Sequence, residues 1–284
     1  MTEMRKQKRV LAISDISCFG KCSLTVALPV ISSAGLECTV LPNVLLSAHT
    51  GIGGFTFRDL TSEMRKIMDH WESIGLGFDT IYTGFLGNRE QIDVSLDAIR
   101  RFRNDETMIF VDPAMADDGK LYPVFGPDFP ACMRRLCSEA DIIKPNVTEA
   151  CLMLGEECDP GPHSEEFVER LLSGLSGFCP GKIILTGVRR EDGRMGAAAA
   201  DREAGITKYF LHETVPGSYC GTGDIFSSAA VGAMTRGIPF FESAEIAVGF
   251  TYGSIRRTYL AGTDPLYGAD FEEEIPDFIA RLGK

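Results

Sequence analysis

The chain has 284 residues, enough for one large α/β domain or two small ones. Hydrophobic residues make up 44% and charged residues 24%, as in ordinary globular proteins, so we expect a sizeable core. The net charge of -12 argues against nucleic acid or an anionic membrane surface as the main partner. No apolar stretch approaches the roughly 20 residues of a membrane span. The apolar run after the basic N-terminus is too short for a signal-peptide core, so we expect a cytoplasmic protein.

The sequence predicts alternating strands and helices. We expect strands at 10–14, 37–41, 80–82, 108–111, 141–144 and 182–185, and helices at 21–34, 59–74, 89–103, 130–139, 148–154 and 165–175. A hairpin is expected from strands at 196–200 and 208–212, followed by a mostly helical stretch. Several strands lack polar–apolar alternation, which is typical of strands buried on both faces. We therefore expect one domain over residues 1–284, built on an open, mainly parallel sheet between helices.

The glycine-rich segment 51–54, together with residues 58–60, is a candidate for a mobile flap. The nine cysteines are irregularly spaced without a CxxC pair, and the four histidines form no HxxxH pattern. This pattern argues against a zinc site and favours reduced thiols. Cys220 adjoins a glycine-rich run, and its role stays open.

Polar residues cluster where predicted strands end, the edge at which open α/β sheets bind ligands. They are Ser14, Asp15, His49, Thr50, Asp112, Asn146, Glu149 and Thr186. We expect these side chains to converge on one ligand site.

The run Gly221-Thr222-Gly223-Asp224 stands directly before an apolar helix of small residues. A helix start offers free N–H groups and a positive dipole end, and glycines let an anion approach closely. A carboxylate beside bound phosphate is unfavourable unless it accepts a proton. The run therefore predicts a phosphoryl-transfer site in which Gly221–Gly223 hold the phosphoryl group and Asp224 is the general base. From these residues alone, a simple loop with an N-cap remains an alternative.

Four separated segments occur in an order that points to one family. They are 111–122, beginning Val-Asp-Pro; 143–150, containing Pro-Asn-Val-Thr-Glu; 184–187, ending Thr-Gly; and 221–224. With Ser14 and His49-Thr50, they resemble the ribokinase-like superfamily and, more narrowly, the pyridoxal (vitamin B6) kinases, over nearly the whole chain.

The resemblance implies a three-layer α/β/α sandwich and an ATP- and Mg²⁺-dependent kinase. Its substrate would be the 5′-hydroxymethyl group of pyridoxal, pyridoxine or pyridoxamine, in salvage of pyridoxal 5′-phosphate. A homodimer is also implied, while a requirement for a monovalent cation stays open.

The resemblance implies roles for individual residues as well. The catalytic set is Asp224 with the anion hole of Gly221, Thr222 and Gly223. The ATP-binding set is Asp112, Asp117, Asn146 and Thr186, with Asn146 and Glu149 organising Mg²⁺, partly through water. The substrate set is Ser14, His49, Thr50 and Phe85. Lys144 is expected to end a strand rather than to reach a phosphate.

Two departures from the family pattern leave the substrate open. Phe85 stands where pyridoxal kinases usually carry a tyrosine, so it can stack on a ring without a hydroxyl to donate. The opening Ser14-Asp15-Ile16-Ser17 resembles the hydroxymethylpyrimidine kinases of thiamine synthesis, whereas His49-Thr50 and Asp224 favour B6. A hydroxymethylpyrimidine kinase is therefore the first alternative, ahead of a sugar or nucleoside kinase. A B6-binding regulatory protein is the non-enzymatic alternative.

Overall fold

A computed structural model of the chain describes residues 7–179 and 181–283. Its strands are β1 (Arg9–Ser17), β2 (Glu37–Leu46), β3 (Phe57–Asp59), β4 (Thr80–Thr83), β5 (Met108–Val111), β6 (Ala116–Asp117), β7 (Lys120–Leu121), β8 (Ile142–Ile143), β9 (Lys182–Arg189), β10 (Arg194–Asp201) and β11 (Ile206–Glu213). Its helices are α1 (Leu24–Ser33), α2 (Thr61–Ser73), α3 (Arg89–Phe102), α4 (Phe129–Cys137), α5 (Val147–Leu154), α6 (Glu165–Ser176), α7 (Thr222–Arg236), α8 (Phe240–Ala261) and α9 (Ile275–Leu282). Short 3₁₀ turns lie at Pro265–Tyr267 and Glu272–Glu274.

Nine strands form the main sheet, in the order β11-β10-β9-β8-β5-β4-β1-β2-β3. The pairs from β9 across to β2 are parallel, and the antiparallel strands β10, β11 and β3 lie at the two edges. From β1 the chain goes first to β2 on one side and later to β4 on the other. This reversal is a topological switch point, where open α/β sheets bind ligands at the carboxyl ends of the strands.

The sheet is buried on both faces. In β1, Leu11 and Ile13 pack into one apolar cluster, whereas Val10 and Ala12 pack into the other. Successive side chains of a strand point to opposite faces, so an unbroken apolar run needs cover on both sides. Helices α2–α6 supply residues to the first cluster, and α1 and α7–α9 supply them to the second. The expected α/β/α sandwich is confirmed.

Local differences from the predicted elements have backbone causes. The first helix begins at Leu24 rather than at Lys21, because Lys21 and Ser23 have φ angles of 49° and 53°. Arg58 and Asp59 form the edge strand β3, paired with β2, so this part of the predicted flap is sheet. The hairpin β6–β7 was not predicted; Asp118 and Gly119 turn it with φ angles of 47° and 77°. In the described ranges, no helix is both long and apolar enough for a transmembrane span.

Candidate active site

The start of α7 forms an open anion-binding position. Gly221 is its N-cap with φ 75°, and a Cβ there would overlap the carbonyl oxygen of Lys21, so glycine is required by both conformation and space. The first intrahelical bond runs from the Ile225 N–H to the Gly221 carbonyl at 3.0 Å. The N–H groups of residues 222–224 therefore have no partner further back in the helix. Gly223 is exposed, so an anion can reach these donors.

Asp224 occupies the first turn of α7 and is only half-buried. Its surroundings raise its pKa from 3.8 to about 7; burial is the main cause, and the charges of Asp112 and Asp15 add to it. The Ser23 N–H and Lys144 act in the opposite direction. A carboxylate with a pKa near 7 is matched to accepting a proton at neutral pH.

Ser14 lies at the switch point between β1 and β4. It is buried, and its Oγ finds no hydrogen-bond partner within the described residues. Gly84 lies against it, because a Cβ on Gly84 would come within 2.8 Å of the Ser14 Oγ. Phe85 follows, half-buried, with its ring 5.6 Å from that of Phe125. An unpartnered hydroxyl at Ser14, with an aromatic residue next in sequence to Gly84, suits a polar heteroaromatic ligand.

His49 and Thr50 occupy a loop next to this position but differ in environment. The Nε2 of His49 lies 2.7 Å from the Leu266 carbonyl oxygen, and its Nδ1 accepts from the Gly51 N–H at 3.1 Å. Both ring nitrogens thus have backbone partners, and the ring ties the 49–51 loop to the 3₁₀ turn at Pro265–Tyr267. Thr50 is exposed.

Asp112 and Lys144 form a buried ion pair at the carboxyl ends of β5 and β8. The Lys144 Nζ lies 2.7 Å from the Asp112 Oδ2, and both side chains are under 5% exposed. The same oxygen accepts from the Ser227 Oγ at 2.7 Å, which fixes Asp112 against α7. Burial alone would lower the pKa of Lys144, but Asp112 and Glu149 raise it above its usual value. The expectation that Lys144 merely ends a strand missed this pairing.

Asn146 and Glu149 form a capping box at the start of α5. The Asn146 Oδ1 accepts from the Glu149 N–H, and the Glu149 Oε2 accepts from the Asn146 N–H, both at 2.8 Å. The Glu149 Oε1 accepts from the Met115 N–H at 3.0 Å. Burial, followed by the charge of Asp112, raises the pKa of Glu149 to about 8, against the effect of Lys144. Backbone N–H groups therefore hold both carboxyl oxygens of Glu149 in place.

A cleft of about 360 Å³ adjoins this box and contains Asp117, Asn146, Thr148, Gly187 and Arg189 among its walls. Asp117 is exposed at the end of β6, and Thr186 lies next to Asn146, to which it is joined by a backbone bridge. The cleft thus adjoins Asp117 and the Asn146 end of the capping box. A larger cavity, about 700 Å³, lies at the amino ends of β5 and β8 and contains none of the predicted residues.

The residues fit a Mg²⁺ ion that is shared with a nucleotide. No three His, Cys, Asp or Glu side chains within 7–179 and 181–283 could hold a metal by themselves. Mg²⁺ is usually bound by one or two carboxylates, substrate phosphates and several waters, so a complete protein cage is not needed. The Asp112 Oδ1 is not used by Lys144 or Ser227, and Asp117 faces the cleft.

Asp15 is a further candidate that had no assigned role. It is buried, accepts from the Ser17 Oγ at 2.8 Å, and contributes to the raised pKa of Asp224. Burial likewise raises the pKa of Asp15 itself. The signals in the sequence were its position at the end of the first predicted strand and its place in the Ser14-Asp15-Ile16-Ser17 pattern.

The parallel sheet, the open helix start and the adjacent carboxylate define a ribokinase-like phosphotransferase. A sequence profile of the phosphomethylpyrimidine kinase family matches residues 60–266, well over half of the chain. The chain belongs to this family.

Solved and curated relatives agree with this assignment. A Bacteroides thetaiotaomicron protein classed with the phosphomethylpyrimidine kinases, solved with pyridoxal, is 34% identical, with a TM-score of 0.92 over 96% of each chain. The pyridoxal kinase of Lactobacillus plantarum is 29% identical, with a TM-score of 0.88 over 97% of this chain and 98% of that one. Pyridoxal kinase PdxY of Rubrobacter xylanophilus is 26% identical over 267 residues, 89% of this chain and 88% of its own. These likenesses confirm the predicted resemblance to the pyridoxal kinases.

Proposed function

We propose that this chain is a pyridoxal kinase that transfers the γ-phosphoryl group of ATP to the 5′-hydroxymethyl group of pyridoxal, pyridoxine or pyridoxamine. The observation that carries the proposal is Asp224, a carboxylate with a pKa of about 7 in the first turn of α7, beside free N–H groups. A binding protein has no need of a proton acceptor at that place. The B6 vitamers as substrates are supported by the relatives, one of them holding pyridoxal.

In the reaction, Asp224 accepts the hydroxyl proton as the substrate oxygen bonds to the γ-phosphorus. The bond between that phosphorus and the β–γ bridging oxygen breaks, and ADP leaves. The N–H groups at residues 222–224 stabilise charge on the transferring oxygens without reorganising. Asp112 and Asp117 would hold a Mg²⁺ ion, with Asn146 and Glu149 acting partly through water, and the ion would supply positive charge to neutralise the phosphates.

On the substrate side, we assign Ser14 and Thr50 as hydrogen-bonding residues and Phe85 as a stacking surface for the pyridine ring. His49 acts by holding the loop that carries Thr50, since both of its ring nitrogens have backbone partners. Thr186 contacts the nucleotide phosphates from the side of the cleft. The unpartnered Oγ of Ser14 supports this arrangement, since a buried hydroxyl is rarely left without a partner.

Phosphorylation of hydroxymethylpyrimidine is the second candidate, favoured by one feature of the first strand. Asp15 is buried and held by Ser17, so the Ser-Asp-x-Ser pattern shared with those kinases has a defined geometry here. Both substrates carry a hydroxymethyl group on a heteroaromatic ring, so the same base and anion hole would serve either.

The test is ADP production with Mg²⁺ and ATP, run in parallel on pyridoxal, pyridoxine, pyridoxamine and hydroxymethylpyrimidine, with the phosphorylated product identified by mass. Turnover of the B6 forms supports the proposal. Turnover of the pyrimidine alone would move the chain to the second candidate. Binding of pyridoxal without turnover in any salt would favour the regulatory protein.

We further propose one domain and a homodimer in the cytoplasm. The main sheet draws strands from residue 9 to residue 213, and this supports a single domain. Analytical ultracentrifugation tests the dimer, and removal of Mg²⁺ with EDTA tests the metal requirement.

A further inference from the structure

Lys144 is a buried cation that the proposed reaction does not use. It follows β8, and its side chain is 4% exposed; the other lysine and arginine residues within 7–179 and 181–283 are all more exposed to solvent. Burial of a charge is costly unless the charge is paired and hydrogen-bonded. A lysine in this place therefore needs a specific reason.

Two oxygen atoms lie close to its ammonium group. The Nζ lies 2.7 Å from the Asp112 Oδ2 and 3.4 Å from the Gly223 carbonyl oxygen in the first turn of α7. The carboxylates of Glu149 and Asp224 also act on it electrostatically. Carboxylate and carbonyl oxygens are also the ligands that bind alkali cations in proteins. An ammonium group can take the place of K⁺ among them, because K⁺ and NH₄⁺ are similar in size.

The charge has a function at this position. Asp112, Glu149 and Asp224 bring three carboxyl groups to a site that must also accept the phosphates of ATP. A fixed positive charge under the helix start lowers the repulsion between these groups, and a preorganised charge needs no rearrangement during transfer. Through Asp112 and Ser227 the ammonium also holds α7, and with it the anion hole.

We propose that Lys144 is the built-in monovalent cation of this site: its ammonium group fills the place where such a carboxylate-lined site would otherwise take up an ion such as K⁺. The proposal rests on the proposed kinase function. Lys144 is a positioning residue, since it acts on Asp112 and on the first turn of α7 rather than on the substrate. Turnover is accordingly independent of which monovalent ion is present.

The wild-type protein provides the first test. Turnover of pyridoxal with MgATP is measured in K⁺, Na⁺ and tetramethylammonium chloride at one ionic strength, so that general screening stays constant. The expected result is the same kcat in all three salts. A kcat that collapses in tetramethylammonium and returns with K⁺ overturns the proposal, because the site then still needs a dissolved ion.

Two variants separate charge from volume. Lys144→Ala removes the ammonium and leaves space, whereas Lys144→Met keeps most of the volume without the charge. We expect both to lose about 10²-fold in kcat, the scale of one lost preorganised group. Added K⁺ or NH₄⁺ restores K144A but not K144M. Lys182→Met is the control, since Lys182 also pairs with an aspartate, Asp201 at 3.1 Å, but lies at the amino end of β9. Full activity in K144M contradicts the proposal.

A measurement without turnover separates this proposal from the kinase function. Crystals of K144A soaked in RbCl should show an anomalous peak between Asp112 and the Gly223 carbonyl, and wild-type crystals should show none there. If no vitamer is phosphorylated in any salt, the kinase proposal fails while the rubidium peak still decides the cation site. The cation proposal is refuted if K144A folds but shows neither a rubidium peak nor restored activity with K⁺. If K144A does not fold, the wild-type salt series tests the proposal instead.

Discussion

Replacing Asp224 with asparagine should lower activity and raise stability at the same time. Asparagine keeps the size of the side chain and an accepting oxygen for the Ser23 N–H, but it cannot take up the substrate proton. We expect kcat to fall by about 10²–10⁴-fold, the usual contribution of a general base. ATP should still bind, because the N–H groups of α7 are unchanged.

The pH dependence follows from the raised pKa of Asp224. Its value of about 7 means that kcat/KM of the wild type should rise from pH 5.5, with a limb near pH 7, to a plateau above pH 8. Glu149, with a pKa of about 8, titrates in the same cluster, so the limb reports the group of carboxylates. In D224N the contribution of Asp224 to the limb should be lost, and only the titration of the remaining carboxylates, Glu149 among them, should be left.

Stability should change in the opposite direction. In the unfolded chain Asp224 ionises near 3.8 and in the folded chain near 7, so the native state binds this proton more tightly. Asp224 thus leaves the free energy of unfolding of the wild type unaffected below about pH 4. It lowers this free energy progressively as the pH rises from 4 to 7, and the loss is complete above pH 7. The difference between a pKa of 3.8 and one of about 7 corresponds to ~4 kcal/mol of unfolding free energy at most. D224N should melt a few degrees higher than wild type at pH 8, with no difference near pH 4.

These results are measured by coupled ADP production, nucleotide titration and thermal unfolding. Asp192→Asn is the control, because Asp192 is an exposed acid in the turn after β9 and pairs with Arg194. Turnover retained in D224N, or a flat kcat/KM profile between pH 5.5 and 8, would remove Asp224 from the role of base. A lower melting temperature of D224N at pH 8 would show that the pKa argument has the wrong sign.

Three further substitutions test other parts of the site, and a fourth, Ser164→Ala, is a control outside it. Gly221→Ala should lower both melting temperature and kcat, since its φ of 75° and the Lys21 carbonyl leave no room for a Cβ; an unchanged protein would contradict the described loop. Glu149→Gln should raise the Mg²⁺ concentration needed for half-maximal rate. Its control is Ser164→Ala, which removes the N-cap of α6; this variant should lose about 1 kcal/mol of stability and keep its rate and Mg²⁺ dependence. Phe85→Tyr should lower KM for the B6 vitamers about fivefold, as one added hydrogen bond allows, and leave KM for ATP unchanged.

The sequence predicted the architecture well, because the signals were local. Unbroken apolar runs such as Val10–Ile13 required cover on both faces, and the structure places their alternate residues in the two clusters. The starts of helices were less predictable. Lys21 and Ser23 have positive φ angles that nothing in their side chains demands; the close approach of Gly221 to Lys21 belongs to the tertiary fold.

The candidate site likewise contains residues that local sequence patterns reveal and a pairing that only the tertiary fold creates. Gly221–Asp224 and the capping box of Asn146 and Glu149 are local patterns, and the structure places both at the carboxyl ends of the strands. The pairing of Lys144 with Asp112 could not be predicted, because it joins residues 32 positions apart whose strands become neighbours only in the folded sheet. Sequence spacing alone gives such a lysine no partner.

The charge of Lys144 and the proton affinity of Asp224 are linked, because both residues belong to the same group of neighbouring charges. Asp224 has a pKa near 7 because it is half-buried and lies near the charges of Asp112 and Asp15, and Lys144 partly offsets that effect. Removing the lysine charge should raise the pKa of Asp224 further, which would move the limb of the kcat/KM profile above pH 7. We expect the limb to shift in both variants, and added K⁺ to reverse the shift in K144A but not in K144M. This result would show that the cation sets the proton affinity of Asp224. An unmoved limb in both variants would mean that Lys144 holds Asp112 and α7 in place without setting the proton affinity of Asp224.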